Sequence, residues 1–279
     1  MLDALERFAP LPLQEDWDNA GLQIGLTEAE VSGALLCLDV TEKVIDEAID
    51  RGCNLVVSHH PLLFRGLKRI SGGNDVQRSV MKAIKNDIAV VSMHTNMDSA
   101  PGGVNFKIAE RIGAVPAVTA TITPAGKPLG TLPEGPAGKP LGTLTAESAS
   151  VEKIPWVLAR LPEAMEAGAF VALVKERFGV KCAHCNELLQ RPIQTVAICG
   201  GAADFVLDEA IAAGADAFIT GEMHYHVFFG HEQQIQICVI GHYESEQFTT
   251  EVFREIIERE CPGVRCCIAE TNTNPIYYF

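Results

Sequence analysis

The chain has 279 residues, 47% hydrophobic and 21% charged, with a formal net charge of −14. That is the composition of a globular protein with one large or two modest cores, and it excludes a disordered chain. No apolar run approaches the roughly 20 residues of a membrane span, and the opening MLDALERFAP reads as an acidic amphipathic helix rather than a basic leader, so a cytoplasmic protein with no membrane partner is expected. The negative charge and the lack of a dense basic run argue against a nucleic-acid partner.

Asp3 to Gly25 reads as a short helix, a proline-containing turn and EDWDNAGLQIG, in which Asp16, Asp18 and Asn19 flank Trp17 ahead of a strand. Gly33 to Val40 predicts a strand, Thr41 a helix N-cap, and Glu42 a carboxylate in the favourable first turn. In Asn54 to Phe64, NLVVSHHPLLF, an apolar strand runs straight into His59 and His60. Open α/β sheets build their sites at the carboxyl ends of strands, and two neutral imidazoles aimed into one volume suggest a metal. The loop from Phe64 to Asp75 carries Arg65, Lys68 and Arg69, cations that could hold an anionic small-molecule substrate. Val76 to Lys85 reads as a helix and Ile88 to Met93 as the strand that delivers His94 and Asp98. Pro101-Gly102-Gly103 delays the next helix until about Val104, so Asp98 is expected on a loop, and Asn105 is a ligand-orienting residue or a cap.

From Ala117 to Ser150 the composition shifts to Pro, Gly, Thr and Ala, and AGKPLGTL occurs twice, at 125–132 and 137–144, without acid, histidine or thiol. This is hairpin or loop material. Trp156 to Leu161 predicts a strand and Ala167 to Phe178 an amphipathic helix. Cys182 and Cys185 form a CxxC with no second pair at zinc-ribbon spacing, and the cysteine total of nine is odd, with Cys37, Cys199 and Cys238 inside apolar strands. These thiols fit a reducing compartment. The Gly pair of CGGAADF, Cys199 to Phe205, lacks the residues of a phosphate-binding loop and reads as a packing feature.

The chain also repeats itself. VIDEAIDRGCNLVVS (Val44 to Ser58) and VLDEAIAAGADAFIT (Val206 to Thr220) agree at six of fifteen positions, and the strands that follow them end in SHH and in GEMHYH, which offers Glu222, His224 and His226. A looser match sets IAVVSMHTNMD (Ile88 to Asp98) against QICVIGHYESE (Gln236 to Glu246), pairing His94 with His242 and Asp98 with Glu246. A His at a strand end with a carboxylate one helical turn later brings nitrogen and oxygen ligands to one side. Two duplicated α/β halves facing a shared site are therefore expected, divided as 1–116, a variable middle at 117–190, and 191–279.

WDNAGLQIG, LCLDVT, SHHPLLF, HTNMDSAPGGVN, ITGEMHYH and GHYESEQF, in this order, resemble the Nif-three-like dinuclear metal-centre family, whose members are also called GTP cyclohydrolase I type 2 homologs. The resemblance implies metal ligands at His59, His60, Asp98, His242 and Glu246, with Glu246 bridging, His60 and Asp98 on one ion and His59 and His242 on the other. By internal symmetry His94 is a ligand, whereas the resemblance implies a supporting or substrate-contacting role. Glu222, His224 or His226 is expected to support the site or carry protons, with Arg65 and Asn105 contacting substrate. The family also implies a homo-oligomer, a toroidal hexamer. Mixed nitrogen and oxygen ligands suit Zn, Fe, Mn, Co or Ni, and two such divalent ions per chain would support hydrolysis. The resemblance points that hydrolysis at a purine nucleotide ring through metal-bound hydroxide; the alternatives are another phosphorylated or cyclic-amide metabolite, or a non-catalytic metal-binding or metal-delivery protein.

Overall fold

The computed structural model describes residues 1–118, 153 and 155–278. In chain order the first elements are α1 (Leu2–Phe8), β1 (Gly21–Ile24), β2 (Ala34–Cys37), α2 (Glu42–Asp50), β3 (Leu55–Ser58), α3 (Asp75–Lys85), β4 (Ala89–Ser92), α4 (Thr95–Ser99), α5 (Val104–Arg111) and β5 (Val115–Val118). They are followed by β6 (Val157–Met165), α6 (Ala167–Phe178), β7 (His184–Cys185), β8 (Ile193–Ala202), α7 (Leu207–Ala212), β9 (Ala217–Glu222), β10 (Gln236–Val239), α8 (His242–Glu246), α9 (Thr249–Glu260) and β11 (Cys266–Ile268). Both AGKPLGTL copies lie outside the described residues. No helix among the described residues is long and apolar enough to cross a membrane.

Two sheets result, in the orders β1-β4-β3-β2-β11 and β5-β6-β8-β9-β10-β7. Strand alternation sorts the core. Leu55 and Val57 of β3 join Ala217 and Ile219 of β9, with Ile108 of α5 and Phe253 of α9, in one inner cluster between the sheets. Val56 faces the opposite way, toward Val44 and Ile45 of α2 and Val80 of α3, while Phe218 packs with Val206, Leu207 and Ala210 around α7. Strands buried on both faces read as continuous apolar runs, and that is what these sequences show.

The two sequence repeats form corresponding ladders. Ala34 pairs with Leu55 and Cys37 with Ser58 in the first sheet; at the matching places Val196 pairs with Ala217 and Cys199 with Thr220. Thr41 caps α2 as expected, its Oγ1 accepting from the Val44 amide at 3.3 Å, and Gly52 and Gly214 turn the chain behind the paired helices with φ of +63° and +75°. The second pairing is corrected by one residue. Met93 N donates to Ser58 O just as Ile240 N donates to Thr220 O, so α4 and α8, each beginning two residues later, are equivalent. Thr95, not His94, is the backbone counterpart of His242. The sequence match had aligned imidazoles, whereas the hydrogen-bond ladders align backbones.

The sheets cut across the expected three-part division. Of 117–190, the described residues supply β6, α6 and β7, and both strands join the sheet of the second half, while β11 from the second half joins the first sheet beside β2. Asp98 lies in the short helix α4 rather than on a loop, because Pro101 ends that helix instead of forbidding it. Glu246 ends α8 rather than opening the long helix that follows.

The start of β9 is tied to the start of β8 by Asp216, which accepts from Gln194 N (3.0 Å) and Thr195 N (2.9 Å) and pairs with Arg191. Burial raises the Asp216 pKa, but the two amides and Arg191 outweigh it and leave the carboxyl below its usual 3.8. A depressed carboxyl contributes stability above the unfolded pKa and loses it as pH falls through the folded one. Asp216→Ala is expected to cost about 2 kcal/mol at pH 7, with the gap to the parent closing below pH 3.8; urea unfolding at pH 7 and pH 3 measures both.

Candidate metal centre

The site forms where β3 and β4 end and α8 descends from the other sheet. His59 and His60 leave β3 consecutively and are turned apart by different anchors. His59 is fully buried and donates from Nδ1 to the Met93 carbonyl beyond β4 (2.9 Å). His60 places Nδ1 on Asp39 Oδ1 beyond β2 (2.7 Å). Because β3 lies between β4 and β2, one imidazole is steered to each side.

Their Nε2 atoms then meet different partners. His59 Nε2 lies 3.7 Å from Asp98 Oδ1 and 3.7 Å from Glu246 Oε1. His60 Nε2 lies 3.1 Å from Glu246 Oε2 and 3.4 Å from His242 Nε2. His242 Nε2 is 3.2 Å from the same Glu246 oxygen, since the two residues stand one turn apart on α8. The clusters of ligand atoms within 4.8 Å of one another are thus His59, Asp98 and Glu246 on one side and His60, His242 and Glu246 on the other. The resemblance implied His60 with Asp98 and His59 with His242, whereas the side chains of this structure lie nearest in the other combination, as the anchors just described turn them.

His94 stands across from the pair, one ring nitrogen within 4.8 Å of those of His59 and His60. Its Nδ1 lies 2.7 Å from Asp18 Oδ1, and Asp18 Oδ2 accepts from Thr95 N (3.0 Å) and Thr95 Oγ1 (2.5 Å). Glu222 Oε1 accepts from His242 Nδ1 at 3.0 Å. Every imidazole here has an oxygen on Nδ1: a carbonyl for His59, Asp39 for His60, Asp18 for His94 and Glu222 for His242. Histidines that bind metals are held in this way by an acceptor on the opposite nitrogen.

Crowding also shifts how these groups titrate. Burial opposes charge on Glu246, yet the surrounding imidazoles hold its carboxyl well below the usual range. Burial also works against charge on His60, but Asp39 and Glu246 push it up to about 10. His242 is likewise raised by Glu246 against burial. His59, fully buried, is lowered by desolvation, and Asp98 is driven well above its usual range by burial and by Glu246. Burial raises Asp18, but the bonds from His94 and Thr95 take it down to about 2.

Two buried atoms in the centre, His59 Nε2 and Asp98 Oδ1, have no hydrogen-bond partner among the described residues. Unpartnered buried polar atoms are costly, and these two face each other beside a buried carboxylate. A cation fits the donor set.

The glycines explain how closely the parts approach. A Cβ on Gly201 would lie 2.5 Å from Glu246 Oε1, and one on Gly200 would lie 3.2 Å from Glu246 Cγ and 3.2 Å from Ile108 Cδ1. The Gly pair therefore makes room for Glu246, as the packing reading expected.

Other expected residues stand elsewhere. His224 is exposed and paired with Asp204, and His226 stacks on the surface with Tyr225 (5.3 Å); neither reaches the imidazole cluster. With Glu222, His224 borders a cavity of about 320 Å³ beside His242, whose walls include Asp204, Met223 and Tyr278. Asn105 is fully buried, donating to Asp98 O (3.1 Å) and Pro155 O (2.8 Å) and accepting from Gly200 N (2.9 Å). Its amide is spent on backbone, so it braces the Asp98 turn and offers no face to a substrate. Arg65 is exposed. Sequence reasoning gave no role to Asp39, and it placed Asp18 in a loop that either lies near the metal site, as the family resemblance implies, or is a plain turn; the usable signal was that Asp39 stands two residues beyond β2, as His60 stands two beyond β3.

Four imidazoles and two carboxylates in overlapping clusters between two sheets define an α/β chain with groups that could hold a metal. The chain is a member of the DUF34/NIF3 (NGG1p interacting factor 3) family, whose profile matches residues 1–275. A Clostridium perfringens protein named GTP cyclohydrolase 1 type 2 homolog is 30% identical over 280 residues, covering 100% of this chain and 98% of its own. Among solved structures, a Staphylococcus aureus hypothetical protein matches with a TM-score of 0.82 at 25% identity, covering 100% of this chain and 97% of that one. A Bacillus cereus protein related to NIF3 gives 0.76 at 26% identity, covering 99% and 97%.

Proposed function

We propose that the protein is a dinuclear metal-dependent hydrolase acting on a purine nucleotide ring. The observation that carries the reading is that Glu246 belongs to two ligand clusters at once, offering Oε1 beside His59 and Oε2 beside His60 and His242. His59, Asp98 and Glu246 would hold one divalent transition-metal ion, and His60, His242 and Glu246 the other. Two ions bridged by a carboxylate supply Lewis acidity and lower the pKa of water, the basis of hydrolysis at neutral pH. The purine ring as substrate comes from the name carried by the C. perfringens relative.

The chain's own groups fix orientation and handle protons. Asp39, Glu222 and the Met93 carbonyl keep the Nδ1 protons of His60, His242 and His59 in place, so each Nε2 stays turned inward. His94 lies outside both Glu246 clusters. With Asp18 holding the proton on Nδ1, its opposite nitrogen is free to take a proton at the reacting centre and return it.

The test is turnover of GTP and other purine nucleotides by protein reconstituted with Mn, Co or Zn, followed by chromatography of the products. Ring-opened or ring-cleaved product is expected, with kcat reduced roughly 100-fold or more in His94→Gln at unchanged metal content. A fully metallated protein that hydrolyses none of them and exchanges its ions freely would instead be a metal carrier.

A further inference from the structure

Beside the imidazole cluster, two large aromatic side chains stand in the open. Trp17 is 60% exposed and Phe64 45%, whereas Trp156, the other tryptophan, is 1% exposed in the core. Their rings meet edge to face at 5.9 Å and 62°. Both close on His94, Trp17 at 6.0 Å and 72°, Phe64 at 6.4 Å and 80°. The three planes make an open corner whose third wall is the histidine assigned above to proton transfer.

This corner is built rather than incidental. Trp17 precedes Asp18, the carboxylate that anchors His94, and Phe64 ends the segment that delivers His59 and His60. The two segments are strapped together: Asn19 Nδ2 donates to Leu63 O (2.7 Å), Leu63 N donates to Gln23 Oε1 (3.1 Å), and Gln23 Nε2 donates to Asn19 O (2.6 Å). These bonds brace the segment that carries Trp17 and Asp18 against the segment that carries His59, His60 and Phe64, so both rings project from one tied pair of loops.

Charge supplies the second observation. Arg65 follows Phe64 directly, Lys68 and Arg69 lie within the same loop, and all three are exposed. None of them is in an ion pair among the described residues, while Arg78 and Lys82 nearby are paired with Glu42 and Asp46. In a chain of net charge −14, exposed cations on the loop that continues from Phe64 match a ligand that is a planar ring at one end and an anion at the other. Aromatic faces accept heteroaromatic rings by stacking, and cations track the attached phosphate.

We propose that Trp17 and Phe64 form a ring-binding platform beside the metal centre, taking a planar heteroaromatic ring whose phosphate is met by Arg65, Lys68 and Arg69. The proposal deepens the hydrolase reading by naming which residues select the substrate, and it rests on that reading only for what happens to the ring afterwards. The ring lies in the corner that Trp17 and Phe64 make with His94.

Binding can be read without turnover, because Trp17 is the exposed fluorophore and Trp156 a buried internal reference. GMP is expected to quench Trp17 emission saturably, with guanosine quenching more weakly and ribose 5-phosphate not at all. By calorimetry, Trp17→Ala and Phe64→Ala should each weaken GMP binding roughly tenfold, and a triple Arg65→Ala, Lys68→Ala, Arg69→Ala variant should weaken GMP but not guanosine. Both rings are on the surface, and unchanged circular dichroism and metal content confirm an intact fold. The proposal is overturned if GMP fails to bind the parent, or if it binds Trp17→Ala and Phe64→Ala as tightly as the parent. GMP bound on the platform without turnover of any nucleotide removes the hydrolase reading and keeps this one; GTP turned over with the same KM by both aromatic variants does the reverse.

Discussion

Glu246→Ala is expected to abolish metal binding on both sides of the centre, leaving a folded protein that retains almost no metal where the parent is expected to carry two ions per chain. The reason is geometric. Each oxygen of this carboxylate faces a different imidazole set, His59 from Oε1 and His60 with His242 from Oε2, so truncation removes the shared anion from both clusters. His59→Ala, by contrast, leaves His60, His242 and Glu246 together and should cost one ion. Inductively coupled plasma mass spectrometry on parent and variants, after growth with Zn, Fe and Mn supplied, reads the stoichiometry directly. Two ions retained by Glu246→Ala would show that the carboxylate is a bystander.

Gly221→Ala is expected to damage the same centre from outside it. A Cβ at this position would sit 2.7 Å from Gly201 O, 2.7 Å from Ser245 Oγ and 2.8 Å from His242 Cα. Two of these are backbone atoms and cannot swing away, so β9 must part from β8 or α8 must lift. Ser245 Oγ accepts from Gly201 N (3.0 Å) and donates to His242 O (2.8 Å), so lifting α8 breaks the bonds that seat His242 and Glu246. Overpacking of this kind costs about 1–3 kcal/mol, and metal affinity should fall roughly 10- to 100-fold, as when the supports of a metal ligand are disturbed. Gly66→Ala, with nothing within 4 Å of its added Cβ, is the control and should be neutral in thermal unfolding and metal titration alike.

The parts of the site legible in the sequence were those that announce themselves locally. An apolar strand running into SHH, a strand ending ahead of HTNMD, and His242 one turn before Glu246 each place a polar group at a strand's carboxyl edge, and all five expected ligands converge. What could not be read was which strand neighbours which. Asp39 becomes the anchor of His60 only because β2 lies beside β3, and the same order decides that His59 turns toward Asp98. Of the dense polar run GEMHYH, only Glu222 reaches the centre, where it holds His242. β9 ends at Glu222, and Tyr225 to Phe228 form a short surface turn that carries His224 and His226 away from the centre. Asn105 looked available because its partners, Pro155 and Gly200, are distant in sequence.

The pairing of β11 with β2 makes the candidate centre depend on the longest-range contacts in the first sheet. Ala34 takes Cys266 as its ladder partner, and Thr273 donates to Asp39 Oδ2 at 2.8 Å, so the carboxylate that aims His60 is itself held by a residue 234 positions along the chain. Contacts between such distant stretches form late and fold slowly. The orientation of His60 is therefore a late product of folding, set by the closing of a long loop rather than by the strand that carries it.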